Sequence, residues 1–118
     1  MAGKCADVSG SSVVLYGCHG GANRAWVLSQ DGAIRANDFR CLDIANNATA
    51  NGSPVIAYGC HGGANQQWRA QGGTIVNPAS GKCLDVEGGA TADGTRLIIY
   101  TCHGGANQRW TTPVRPAA

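Results

Sequence analysis

The sequence predicts an all-β protein built from three equivalent units closed around a threefold axis. Two observations carry this. The segment Tyr-Gly-Cys-His-Gly-Gly-Ala-Asn stands at 16–23 and 58–65, and with Thr101 in place of the first glycine at 100–107, a period of 42 residues. A tryptophan follows each copy at the same offset, at Trp26, Trp68 and Trp110. Self-similarity at a fixed period marks a chain made of one repeated unit. The second observation is compositional. Gly supplies 18 of 118 residues, charged residues only 14%, and short apolar stretches are punctuated by Gly, Asn and Ser, the pattern of short strands joined by tight turns.

Each unit reads as four short strands. The first is Lys-Cys-Leu-Asp-Val at 82–86, where apolar and polar residues alternate as a half-buried strand requires. A turn follows at Asn51-Gly52 or Asp93-Gly94, residues that tolerate positive φ. The second strand is Val55–Tyr58 or Leu97–Tyr100. A Gly-Gly loop leads to a third strand around Gln-x-Trp. A turn at Asp31-Gly32 or Gly72-Gly73 precedes a fourth, Ala33–Arg35 or Thr74–Val76. Three such units (about 3–38, 39–80 and 81–118) give about twelve strands in one domain spanning 1–118. A propeller repeats near this length but usually has at least four blades, and neither Gly-His nor Trp-Asp occurs. The two chain ends together nearly supply a third Trp-to-Cys connection, so they should lie close together. Val114-Arg115 would make the weakest fourth strand.

The first unit is shorter. Asp43 to Tyr58 and Asp85 to Tyr100 both span 15 positions, whereas Asp7 to Tyr16 spans 9, so six residues are missing (15 − 9) between that Asp and that Tyr. From Tyr16 to Cys41 and from Tyr58 to Cys83 the distance is 25 in both.

Composition excludes several classes. No stretch approaches the roughly 20 apolar residues of a membrane span. The net charge is +2 and the nine basic residues form no run or aromatic-interleaved patch, which argues against nucleic acid. Met1–Cys5 is not followed by the apolar region of a signal peptide, yet six Cys in so small a chain favour an oxidising compartment. The expectation is a module excised from a secreted context.

Cysteine placement predicts one disulfide per unit: Cys5–Cys18, Cys41–Cys60 and Cys83–Cys102. The competing metal reading uses the Cys-His pairs at 18–19, 60–61 and 102–103 with the upstream Cys, but a structural zinc site wants four ligands and each unit offers three. No metal and no cofactor are expected.

Four polar or aromatic residues recur in every unit: an Asp (Asp7, Asp43, Asp85), a Tyr (Tyr16, Tyr58, Tyr100), a His (His19, His61, His103) and an Asn (Asn23, Asn65, Asn107). Carboxylate and amide groups match hydroxyls, and Tyr offers a flat apolar face with a polar tip. The set suits a sugar, although in any one unit the Asp could be a turn residue and the Tyr a core residue. Catalysis is not expected. No Ser or free Cys nucleophile recurs beside the His and Asp, the only Glu is Glu87, and a glycosidase needs two facing carboxylates where each unit repeats one.

At the Cys-Leu-Asp-Val start, the Tyr-x-Cys-His-Gly-Gly-x-Asn segment and the Gln-x-Trp motif (Gln66-Gln67-Trp68, Gln108-Arg109-Trp110), the chain resembles the ricin B-type lectin family, above all its bacterial members classed as family 13 carbohydrate-binding modules. The resemblance covers Gly3 to about Trp110. It implies a β-trefoil, a six-stranded barrel closed at one end by three hairpins, with Trp26, Trp68 and Trp110 buried. It also implies a shallow sugar site on each unit, in which Asp holds ring hydroxyls, the aromatic stacks on the sugar, and Asn or His completes the hydrogen bonding. Carried over, the second site is Asp43, Tyr58, His61 and Asn65 with Gln66 behind Asp43, and the third is Asp85, Tyr100, His103 and Asn107 with Gln108. The Tyr-plus-His form is similar to family sites that accept galactose or N-acetylgalactosamine. Asp7, Tyr16, His19 and Asn23 remain in the first unit, but Arg24 replaces the Gln and the missing stretch would shape the pocket floor. The implied partners are galactose-containing glycans or, as the alternative, a plant polysaccharide such as xylan or arabinogalactan targeted on behalf of a secreted hydrolase. The oligomeric state is left open. Asn47-Ala48-Thr49 and Asn51-Gly52-Ser53 match the glycosylation pattern and read as turn composition.

Overall fold

In a computed structural model, which describes residues 4–17, 27–28, 31–35 and 40–110, the chain is all-β with short 3-10 turns. Ten strands fall among the described residues: β1 Lys4–Ser9, β2 Ser12–Gly17, β3 Val27–Leu28, β4 Ile34–Arg35, β5 Arg40–Ile44, β6 Val55–Gly59, β7 Arg69–Gln71, β8 Thr74–Asn77, β9 Lys82–Val86 and β10 Leu97–Tyr100. All pair antiparallel, in a six-stranded sheet ordered β1-β2-β6-β5-β4-β3 and a four-stranded sheet ordered β10-β9-β8-β7. None of the described helices is long and apolar enough to cross a membrane.

The first two strands of every repeat pair in one register. Cys5 lies opposite Tyr16, Cys41 opposite Tyr58 and Cys83 opposite Tyr100. Asp7, Asp43 and Asp85 accordingly face Val14, Ile56 and Ile98. The fourth strand of one repeat then pairs with the first strand of the next, Arg35 opposite Cys41 and Val76 opposite Cys83.

Threefold closure is visible in three backbone hydrogen bonds. Leu15 N–H donates to Thr95 O (2.7 Å), Ala57 N–H to Ser11 O (2.8 Å) and Ile99 N–H to Ser53 O (3.0 Å). Aligned on the tyrosines, the three donors are one repeat position and the three acceptors another. Repeat one therefore leans on three, two on one, and three on two. β2 meets β6 at Ser12–Ile56, and isolated bridges Pro54–Ile98 and Val14–Arg96 join the other second strands. The ring has no free member.

Inside that ring lies one apolar cluster. Val13, Val55 and Leu97 form one set of equivalent positions and Leu15, Ala57 and Ile99 the next, all buried. Leu42, Leu84, Ile44 and Val86 join them from the first strands, with Ala6 and Val8 partly buried in the first repeat. Alternation does this: in β5 and β9 the residues on either side of the Asp point to the core.

Disulfides join Cys41 to Cys60 and Cys83 to Cys102, each with Cα atoms 5.1 Å apart. Cys5 is also disulfide-bonded, and the expected partner Cys18 lies outside the described residues. So do His19, Asn23, Arg24 and Trp26, the expected strand at Val114-Arg115 and the meeting of the chain ends.

Three sequence expectations need correction. The Asn-Gln pairs ahead of Trp68 and Trp110 do not open a strand. They lie in 3-10 turns, Ala64–Gln66 and Ala106–Gln108, and β7 begins only at Arg69. Successive residues of a strand face opposite sides, whereas Asn65 and Gln66 are consecutive and both reach Asp43. The turns expected at Asn51-Gly52 and Asp93-Gly94 are present, but two 3-10 turns that were not expected, Ala45–Asn47 and Glu87–Gly89, precede them directly after the first strands. Finally, Trp68 is buried but Trp110 only partly so. Both indoles donate to the same repeat position, Leu42 O (2.9 Å) and Leu84 O (3.2 Å), and the chain after Trp110 lies outside the described residues.

Candidate functional site

Asp43 sits on β5 one residue from its end, opposite Ile56. It is 3% exposed, and its carboxylate is gripped from behind. Asn65 Nδ2 donates to Oδ1 (2.8 Å) and Gln66 Nε2 to Oδ2 (2.7 Å). Each carboxylate oxygen can take a second donor, so the front edge keeps acceptor capacity. Asn65 Nδ2 also donates to Ile44 O (3.2 Å), which leaves Asn65 Oδ1 as that side chain's acceptor.

Gln66 has no exposure and makes four hydrogen bonds. Its Nε2 donates to Asp43 and to Gly59 O (2.9 Å), while its Oε1 accepts from His61 N–H (2.8 Å) and Gly62 N–H (3.3 Å). One amide thus ties the carboxylate, the end of β6 and the Gly-Gly loop into a single unit.

The loop presents His61. Its Nδ1 accepts from Gly63 N–H (3.0 Å), which places the ring proton on Nε2. Nε2 lies 3.6 Å from Asp43 Oδ2, and the side chain is about half exposed. Glycine at 63 is required by proximity: a Cβ there would stand 2.6 Å from His61 Cε1 and 2.8 Å from Nδ1. Gly62 is required by conformation, with φ +73°. Tyr58, at the end of β6 and 57% exposed, meets the imidazole edge-on with ring centroids 6.5 Å apart.

The third repeat repeats these hydrogen bonds. Asn107 and Gln108 donate to Asp85 at 2.8 and 2.7 Å. Gln108 also holds Thr101 O, His103 N–H and Gly104 N–H. His103 Nδ1 accepts from Gly105 N–H (2.9 Å), and its Nε2 is 3.7 Å from Asp85 Oδ2. Tyr100 is exposed. In the first repeat Asp7 is likewise buried and Tyr16 exposed, in the same strand register.

The repeats differ beside this floor. After Asp43 the turn Ala45–Asn47 packs against the Ala64–Gln66 turn, and Glu87–Gly89 packs likewise against Ala106–Gln108. The first repeat has only the two-residue turn Gly10-Ser11 there, Ser9 lying opposite Ser12. In the third repeat Arg96 grips Glu87 through two hydrogen bonds (2.9 and 2.7 Å), and this contact holds the Glu87 carboxyl below the usual glutamate range.

The recurrence of Gly-Gly beside His was a sequence signal for the imidazole cradle, though it reads only as a loop. The polar side chains of the Ala45–Asn47 turn carried no such signal, because that stretch is not shared between repeats.

Chemically, a buried acceptor lies next to a neutral N–H donor, beside an exposed aromatic ring. A sugar hydroxyl both donates and accepts, and fits between them. Neither a free cysteine nor a group of three metal-ligating side chains appears among the described residues.

The sequence profile described as the ricin-type beta-trefoil lectin domain matches residues 1–111. Among solved structures, the designed threefold-symmetric protein ThreeFoil is 38% identical with a TM-score of 0.84, covering 92% of this chain and 89% of that one. The agglutinin of Abrus precatorius is 29% identical with a TM-score of 0.82, and the chain spans 44% of its length. The ricin B-like lectin of Macrolepiota procera, solved in complex with lactose, is 26% identical with a TM-score of 0.79, covering 93% of this chain and 86% of that one. No curated protein sequence matches at the same level. The fold, the threefold ring and the profile together establish that this chain belongs to the ricin-type β-trefoil lectin domain family, whose members are carbohydrate-binding, non-catalytic domains.

Proposed function

We propose that the chain binds galactose- or N-acetylgalactosamine-type residues of glycans at the sites of its second and third repeats, with Asp7, Tyr16, His19 and Asn23 as the candidate residues of a first-repeat site. The observation that carries this is the twice-repeated constellation of a buried Asp, a neutral His donor and an exposed Tyr. Asp43 and Asp85 accept from ring hydroxyls, His61 and His103 donate, and Tyr58 and Tyr100 cover the apolar sugar face. Gln66 and Gln108 hold the aspartates and do not touch the ligand. Support comes from the lactose complex of the Macrolepiota lectin and from the bitter-gourd homologue solved with α-methyl-galactoside, 27% identical over 92% of this chain. The paired cysteines support a secreted setting.

Titration calorimetry with galactose tests the reading. One shallow site should bind a monosaccharide at about millimolar Kd, near −4 kcal/mol. The double variant Asp43→Ala/Asp85→Ala should abolish the heat of the second and third sites, so that any heat left belongs to the first. Retention on xylan with none on a lactosyl resin would overturn the galactose assignment.

A second reading is that the chain targets a polysaccharide for a larger enzyme. One observation favours it: an exo-β-1,3-galactanase of Clostridium thermocellum is 28% identical with a TM-score of 0.82, and the chain spans 27% of its length. Binding to a galactan polymer with none to galactose or lactose would establish this reading over the first.

A further inference from the structure

The sites of the second and third repeats share a floor but not a rim. In the second, Asn46 (φ 59°) and Asn47 (φ 54°) stand in the left-handed region, in the turn packed against Ala64–Gln66. In the third, the same positions are Gly88 and Gly89, at φ 67° and 68°. The backbone is therefore alike, and only the side chains differ. Left-handed backbone is disfavoured for any residue with a Cβ, and Asn tolerates it better than most. Both asparagines are exposed, and neither side chain has a hydrogen-bond partner among the described residues. The second repeat thus holds two amides at the edge of a site, where glycine serves the same backbone in the third.

We propose that Asn46 and Asn47 form an extension subsite that hydrogen-bonds the sugar residue next to the one seated over Asp43. The second repeat then reads a disaccharide, whereas the third reads a terminal monosaccharide. An amide that both donates and accepts suits the hydroxyls of a neighbouring pyranose. The glycines of the third repeat offer no such group, and the first repeat has no rim turn at all. The three sites therefore form a graded set. This inference rests on the carbohydrate reading above.

The test isolates one site at a time. Tyr16, Tyr58 and Tyr100 are exposed, so Tyr16→Ala/Tyr100→Ala leaves the second site and Tyr16→Ala/Tyr58→Ala leaves the third without disturbing the core. Calorimetry compares methyl β-galactoside with lactose. The isolated second site should prefer lactose about five- to tenfold, the range expected of one or two added hydrogen bonds, and the isolated third site should show no preference. Exchanging the rims makes the test reciprocal. Asn46→Gly/Asn47→Gly should abolish the preference at the second site while keeping methyl galactoside binding. Gly88→Asn/Gly89→Asn should create it at the third, where a Cβ at either position meets nothing within 4 Å. Equal lactose preference at both isolated sites, or a second-site preference that survives Asn46→Gly/Asn47→Gly, overturns the extension subsite and leaves galactose binding standing. Absence of both ligands from both isolated sites overturns the galactose reading, and the subsite with it.

Discussion

Gln66 makes four hydrogen bonds from a side chain with no exposure, and Gln108 does the same in the third repeat. Removing such a group leaves a buried carboxylate oxygen and two loop amides short of a partner, which is more costly than losing a solvated bond. Gln66→Ala should lower stability by about 3 kcal/mol, read from urea denaturation, and should weaken sugar binding at that repeat through displacement of Asp43. Gly63→Ala should act differently. Its Cβ would collide with the His61 ring but touches nothing of the core, so binding at the second site should fall about tenfold while the urea midpoint moves little. Glu87 supplies a pH prediction. The hydrogen bonds and then the charge of Arg96 depress its carboxyl. The pair therefore stabilises the fold above the usual glutamate range, and that stabilisation is lost as pH falls through the depressed value. Carboxyl NMR titration of Arg96→Ala should show Glu87 titrating at higher pH than in the parent. The group is solvent-exposed, so the change in stability is small.

Among the elements, first strands were legible in the sequence because an alternating apolar pattern and a Cys mark each one, and β9 spans the expected 82–86. Second strands ended where the Tyr predicted, or one residue later. The 3-10 turns were not legible, because their shape is set by tertiary partners: Ala64–Gln66 curls so that two adjacent side chains can reach one carboxylate 22 and 23 positions away. For the same reason the recurrence of Asp, His and Asn pointed to a site, but not to its wiring through Gln66 Oε1. Asn51 was legible only as a turn residue or a glycosylation match. Its Oδ1 accepts from Thr101 N–H (2.9 Å) and Thr101 Oγ1 (3.2 Å), which ties the second repeat to the chain next to Cys102. Asn51→Ala should lower stability by about 1 kcal/mol. The disulfides hold more. Each closes a loop of sequence separation 19, so Cys41→Ser/Cys60→Ser should lower stability by about 3 kcal/mol in the chain-entropy account, seen as a lower thermal midpoint with sugar binding at the third repeat retained at 25 °C.

At the scale of the molecule, the ring of bonds Leu15–Thr95, Ala57–Ser11 and Ile99–Ser53 places equivalent sites on equivalent strands around one axis, within extents of 31 × 31 × 27 Å. A single weak site holds a glycan only briefly. Two or three on one rigid body engage a glycan-coated surface together, and the second contact then forms at a high effective concentration. The sites need not be equal for this to work, since avidity depends on how many engage and not on their sharing one specificity. Silencing one site with Tyr100→Ala should therefore leave the monosaccharide Kd of the remaining sites unchanged and reduce calorimetric stoichiometry by one. It should lower retention on a densely galactosylated surface by about tenfold or more. Stoichiometry in the parent also counts the working repeats: three if the first binds despite its shortened β1–β2 turn, two if it does not. Equal retention of parent and variant on the dense surface would mean that the sites act one at a time, and the threefold ring would then serve stability alone.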